Sequence, residues 1–226
     1  LMTAAINTMG DSIEQSGIED VVEHIADVWL YLGDHAATSG EEIGKAMQKA
    51  SASATEFGMS FEWLGTYIAV VSEQTRQAPE AIGNAFNTMM ARMHQIKAKG
   101  FNDEDTTKLN DVAKALATIN VELMDDGQWR AMSDIYSDIA EKWGEMDAKQ
   151  RGYIATTMAG TRQYNNLLAL FDGWDKYNTA LETSRNATGT LQKQQDTYME
   201  SVGAHIKQLD TEWEDLYKSL LKAEDI

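Results

Sequence analysis

Apolar residues recur at steps of three and four along nearly the whole chain, the spacing that lines one face of an α-helix. The first stripe is Ile18, Val21, Val22, Ile25, Val28, Trp29 and Leu32. Ser16 with Glu19 offers a capping box ahead of it, and Gly33 a stop. A second box, Ser39 with Glu42, opens the stripe Ile43, Met47, Ala50, Ala54 and Phe57, which Gly58 closes. Ser60 caps a third helix carrying Phe61, Leu64, Ile68 and Val71. Pro79 stands where a helix accepts proline, in the first turn, and Ile82, Phe86, Met89, Met93 and Ile96 follow up to Gly100.

Residues 100–107 lack a period and read as a loop, after which Leu109, Val112, Leu116 and Ile119 resume the helical spacing. Between 121 and 131 the period changes: Val121 and Leu123 alternate with polar neighbours, and Asp126-Gly127 precedes Trp129. That pattern predicts a small β-hairpin. Ser133 is positioned to cap a helix bearing Ile135, Ile139, Trp143 and Met146, and Asp147 with Gln150 to box the next, with Ile154 and Met158 inside. Gly160 interrupts it, the stripe resumes through Tyr164, Leu167, Leu168, Phe171, Trp174 and Leu181, and 184–189 reads as a loop. A last helix, roughly Leu191 to Ala223 and about 50 Å long at the usual rise, carries Leu191, Tyr198, Val202, Ile206, Leu209, Trp213, Leu216 and Leu220. From Val202 its steps are heptad-like, the pattern of a helix that pairs with another.

Composition sharpens the class. One Pro and 12 Met in 226 residues, with abundant Ala, predict an all-α chain: a multi-helix bundle with a long C-terminal helix and one small hairpin. Three parts are expected: a helical subdomain over 1–100, a second over 101–189 that includes the hairpin, and the long helix of 190–226 leading toward a rod. The start at Leu1 and the charged end at 222–225 read as a piece of a longer protein.

Charge and chemistry mostly exclude. Lys and Arg number 19 against 36 Asp and Glu, a net −17, which repels nucleic acid and anionic membrane surfaces. Residues 1–44 hold no Lys or Arg at all. The chain has no Cys, and its apolar runs are too short for a transmembrane segment. His24, His35, His94 and His205 never fall at the i, i+4 spacing of a helical zinc site, so each reads as a surface or satisfied histidine and no metal is expected. Phosphate loops, dinucleotide fingerprints and nucleophile elbows are absent. Glu41-Glu42 and Asp125-Asp126 stand where a helix start and a turn would use them. The reading is no enzyme, no catalytic residue and no cofactor, with the Trp and Met stripes as core.

Several stretches, taken in order, resemble the core region of phage tail tape measure proteins. They are Ser39-Gly40 with its Ala/Ser helix, Gly58 to Glu62, Ile82 to Ala85, Arg92, and Met124 to Phe171, within which Ala159 to Leu170 is the most specific string. Ala180 to Ser184, Gly189, Tyr198 and Trp213 also fit. The likeness covers nearly the whole chain and thins over 1–15 and 97–120. It implies a structural virion protein: a folded module on a long helical ruler that lies in the tail tube lumen, forms in the host cytoplasm, sets tail length and scaffolds the tube. Implied partners are the tail tube protein, tail assembly chaperones and baseplate or tail-tip proteins. Gly160, Arg162, Gln163, Asn166 and Leu168 are then expected as a structural motif, with Arg162 and Asn166 hydrogen-bonded. Tyr198, Val202, Leu209, Trp213, Leu216 and Leu220 are expected as a self-association face of a homo-oligomer. Three alternatives stay open: a module of a contractile injection particle or bacteriocin, the non-catalytic part of a tail-associated cell-wall hydrolase, and a free-standing adaptor.

Overall fold

The computed structural model describes residues 17–36, 38–99, 106–125, 128–190, 192–193 and 195–202, and the side chains of these except 91–99, 106–110 and 128–129. It divides into two compact units, residues 1–187 and residues 188–226.

The first unit is an all-α bundle. Its helices are α1 (Ile18–His35), α2 (Gly40–Glu56), α3 (Phe61–Thr75), α4 (Pro79–Lys99) and α5 (Thr106–Ala117), then α6 (Met132–Trp143), α7 (Ala148–Ala159), α8 (Tyr164–Asp172) and α9 (Trp174–Arg185). Between α5 and α6 lies the expected hairpin, β1 (Met124–Asp125) paired antiparallel with β2 (Gln128–Trp129), Met124 opposite Trp129. Arg130 secures it: its backbone N–H donates to the Leu123 carbonyl, its Nη1 to the Glu122 carbonyl, and its guanidinium pairs with Asp138 of α6 at 2.7 Å.

Local sequence sets most helix starts. Ser39 Oγ accepts from the Glu42 N–H while the Glu42 carboxylate accepts from the Ser39 N–H, the reciprocal box expected there. Asp147 and Gln150 do the same for α7, and Ser60 Oγ accepts from the Trp63 N–H at the head of α3.

Packing overrides the local signals at three places. Gly33 does not stop α1, which runs on to His35: a Cβ at Gly33 would collide with the backbone of Gly40, so the glycine serves a close approach inside the helix. Ser133 does not cap α6. That helix starts two residues earlier than a Ser133 cap would place it, at Met132 with Ala131 at the cap, and the N–H of the buried Met132 donates to the Phe57 carbonyl. The expected run from Tyr164 to Leu181 is broken at Gly173, where the Gln74 side chain of α3 occupies the space a Cβ would need.

The centre is α3. Its sequence suggests one apolar stripe, yet every residue from Trp63 to Ser72 is buried, because α1, α2, α4, α8 and α9 all pack on it. Trp63 is the hub, with ring centroids 5.6 Å from Tyr67, 6.2 Å from Phe86 of α4, 5.6 Å from Tyr136 of α6 and 5.5 Å from Tyr177 of α9. Each such ring removes a large apolar area from water and adds a geometric preference to the burial. The most extensive helix pair is α2 with α4. Ala46 and Ala50 are fully buried there, and Gly83 rests directly on the Ala46 backbone.

In the second unit, the Lys193 N–H donates to the Gly189 carbonyl and the described residues from Thr190 to Val202 are helical. The remainder of the expected long helix lies outside the described residues.

Candidate functional site

The first group of sequence-predicted residues lies at the turn between α7 and α8. Gly160 ends α7 with φ 78 and ψ 166, its N–H donating to the Thr156 carbonyl at 2.8 Å. That combination of angles is open to glycine and essentially closed to other residues. The Gly160 carbonyl accepts in turn from the N–H groups of Gln163 and Tyr164, so one residue closes a helix and starts the next.

Asn166, in the first turn of α8, is buried, and both ends of its amide are used. Its Oδ1 accepts from Gln77 Nε2 at 3.1 Å, and its Nδ2 donates to Gln163 Oε1 at 3.3 Å. Gln77 lies between α3 and α4, so the network ties the α7–α8 turn to the centre of the bundle. Leu168 is half-buried and packs on the core. Arg162 is exposed at the turn. Gly160, Gln163 and Asn166 therefore form one network, Leu168 lies on the packed face and Arg162 on the solvent face.

The second group belongs to the second unit. Tyr198 is 67% exposed, with Met199 beside it at 64%, and Val202 is half-buried. Leu209, Trp213, Leu216 and Leu220 lie outside the described residues.

Besides these, α1, α3 and α9 enclose a groove of about 400 Å³. Its floor is Leu32, Ala69, Val70 and Ala180, and its rim is Tyr31, His35, Glu73, Asp175, Lys176 and Thr179. The Tyr31 and His35 rings meet in a tilted pair with centroids 4.3 Å apart, and Lys176 pairs with Glu73 at 2.5 Å. The lining is suited to an apolar group.

Electrostatics single out one pair. His24 Nε2 and Glu62 Oε1 are 2.8 Å apart, joining α1 to the first turn of α3. The hydrogen bond to Glu62 raises the His24 pKa above its ordinary 6.5, against the opposing effect of burial. Burial pushes the Glu62 carboxyl up, but hydrogen bonds from His24, its own backbone N–H and Ser60 hold it below its ordinary 4.5. Sequence reading missed this pair because 38 positions separate the two residues and no local pattern links them. Its one legible trace is Glu62 at the end of the Gly58–Glu62 string. Burial raises the hydroxyls of Tyr67, Tyr136 and Tyr177 well above the usual tyrosine range, as hydroxyls inside a core should be.

Among the described residues no three His, Asp or Glu side chains are grouped to hold a metal, and no helix is long and apolar enough to cross a membrane. Glu41 and Glu42 are engaged with Lys45 and with the α2 cap.

Compared with known proteins, residues 1–160 match the model of a family described as phage-related minor tail protein. No solved structure matches the chain.

Proposed function

Because the chain belongs to the phage-related minor tail protein family, which gives it a structural role in a phage tail, we propose that it is the folded core module of a tape measure protein. In this reading the module anchors a helical ruler in the tail tube lumen, sets tail length and scaffolds the tube as it grows. The observation that carries the proposal is the junction at Ala187. A closed bundle with a fully buried aromatic centre ends there, and a helix with exposed Tyr198 and Met199 begins after Gly189. A bundle of this kind is a fixed body, and a helix grows by a constant rise per residue, which is the property a ruler needs.

The module works without catalysis or cofactor. Its partners are the tail tube protein, the tail assembly chaperones that hold it in the host cytoplasm, and the baseplate or tail-tip proteins at which assembly starts. Copies meet through the stripe Tyr198, Val202, Leu209, Trp213, Leu216 and Leu220, whose heptad-like steps suit helix pairing.

The test is tail length. In a phage carrying the whole protein, a long helical stretch outside residues 1–187 is deleted and tails are imaged. The expected result is shortening by about 1.5 Å per deleted residue. Tails of unchanged length would overturn the ruler and leave a tail component of another kind.

A further inference from the structure

The groove bordered by α1, α3 and α9 lies wholly within the first unit. Its floor is aliphatic: Leu32 comes from α1, Ala69 and Val70 from α3, and Ala180 from α9. Its volume of about 400 Å³ is within the range of ligand-binding clefts.

The polar groups of the rim are engaged with one another. His35 Nδ1 donates to the Tyr31 carbonyl at 2.8 Å, Lys176 pairs with Glu73 at 2.5 Å, and Thr179 Oγ1 donates to the Asp175 carbonyl at 2.9 Å. The floor is thus left without the set of convergent polar groups that orients a small molecule. What the groove offers instead is aliphatic surface, the Tyr31 ring and the exposed carboxylate of Asp175.

Charge adds a second constraint. Residues 1–44 hold no Lys or Arg. On α1 the acids Glu19, Asp20, Glu23 and Asp34 are exposed, and Asp34 stands one turn from Tyr31. The lining holds one Lys and no Arg, and the charge of that Lys176 is balanced by Glu73. Such a surface draws a cationic partner in and turns an acidic one away.

We propose that the groove is the docking site for a basic amphipathic helix of a partner protein, which seats a leucine-like side chain on the aliphatic floor and sets a Lys or Arg beside Asp175. An amphipathic helix laid into an apolar groove is a recurring mode of recognition. The basic residue suits the rim because its stem is apolar and only its head needs the carboxylate and water. The face of the Tyr31 ring is a second resting place for that cation. The site needs only the first unit and is independent of the ruler and of the C-terminal stripe.

The experiment uses the 226-residue chain with isotope-labelled methyl groups and a synthetic helix of about 15 residues. The probe carries Leu along one face and Lys elsewhere. Two control helices replace every Lys by Glu or every Leu by Ala. The expected result is saturable binding of the Leu/Lys helix, at least about tenfold tighter than either control, with shifts at the methyl groups of Leu32, Val70 and Ala180. Asp175→Lys should weaken it about fivefold, the scale of an exposed charge pair. Ala180→Phe should fill the groove and abolish binding. Asp175 is exposed, so its variant keeps the test decisive if Ala180→Phe fails to fold. Equal binding of the Ala/Lys helix would mean attraction by charge alone, and equal binding of the Leu/Glu helix apolar contact alone; either overturns the proposal. So would no binding, or binding that leaves the three methyl groups unmoved. Groove signals that move on dilution of the chain by itself would give the groove to a second copy and overturn it as well.

Discussion

A Cβ added at Gly83 would be driven into the carbonyl of Ala46, whereas one added at Gly152 would meet nothing within 4 Å. Both glycines lie inside helices, where alanine is intrinsically favoured by about 1 kcal/mol. The two substitutions should therefore differ in sign. Gly152→Ala is expected to stabilise by about 0.5–1 kcal/mol. Gly83→Ala is expected to destabilise by about 1–3 kcal/mol, because the α2–α4 pair has to part to admit the methyl group. Urea unfolding of both variants checks this, and a stabilised Gly83→Ala would mean the helices are not in backbone contact there. Nothing in the local sequence separates these two glycines, since the difference lies in what the other helix brings. Gly33 shows the same limit: as a letter it resembles a helix stop, and only the nearby Gly40 backbone explains its place inside α1.

Element boundaries were legible where the controlling groups are close in sequence. Both capping boxes need only residues three apart, so the pattern and the hydrogen bonds coincide at Ser39–Glu42 and at Asp147–Gln150. The hairpin is of the same kind, set by alternation around Asp126-Gly127. The need for glycine at the Gly173 break was not legible, because the Gln74 side chain that fills the space of a Cβ comes from another helix. At the α7–α8 turn the interruption at Gly160 was visible in sequence, but its geometry was not. With ψ at 166, Gly160 lies away from the left-handed helical region that asparagine tolerates. Gly160→Ala is expected to cost about 1–3 kcal/mol, and Gly160→Asn should fail to recover it. Thermal unfolding of the two variants side by side decides: full recovery by asparagine would place the residue in an ordinary left-handed turn. Asn166 belongs to the same element, and its pairing with Gln77, 89 positions away, is beyond the reach of any local pattern.

At the scale of the whole molecule, the bundle closes around Trp63, whose ring meets aromatic side chains from α4, α6 and α9 as well as its own helix. The second unit has no such centre among its described residues, and its large apolar side chains Tyr198 and Met199 are exposed. This contrast motivates the proposed self-association through the stripe that includes Trp213. Light scattering tests it: the chain is expected to show a mass above 25.1 kDa that falls toward the monomer in Trp213→Ala. A mass unchanged by that substitution would assign Trp213 to packing within its own chain.

The all-α class, most helix positions, the cap boxes and the hairpin were determined by the sequence itself, because spacing, capping and turn preferences act over a few residues. The order of short strings such as Gly58–Glu62 pointed to a phage tail protein, and the family model that matches residues 1–160 agrees at that level. Only the tertiary structure decided that α3 is buried on every side, that Gly33 and Gly83 serve helix contact, that Gly173 divides a run, and that His24 meets Glu62. Each of these depends on a group brought from a distant part of the chain, and the burial that gives it its strength exists only once the bundle has closed.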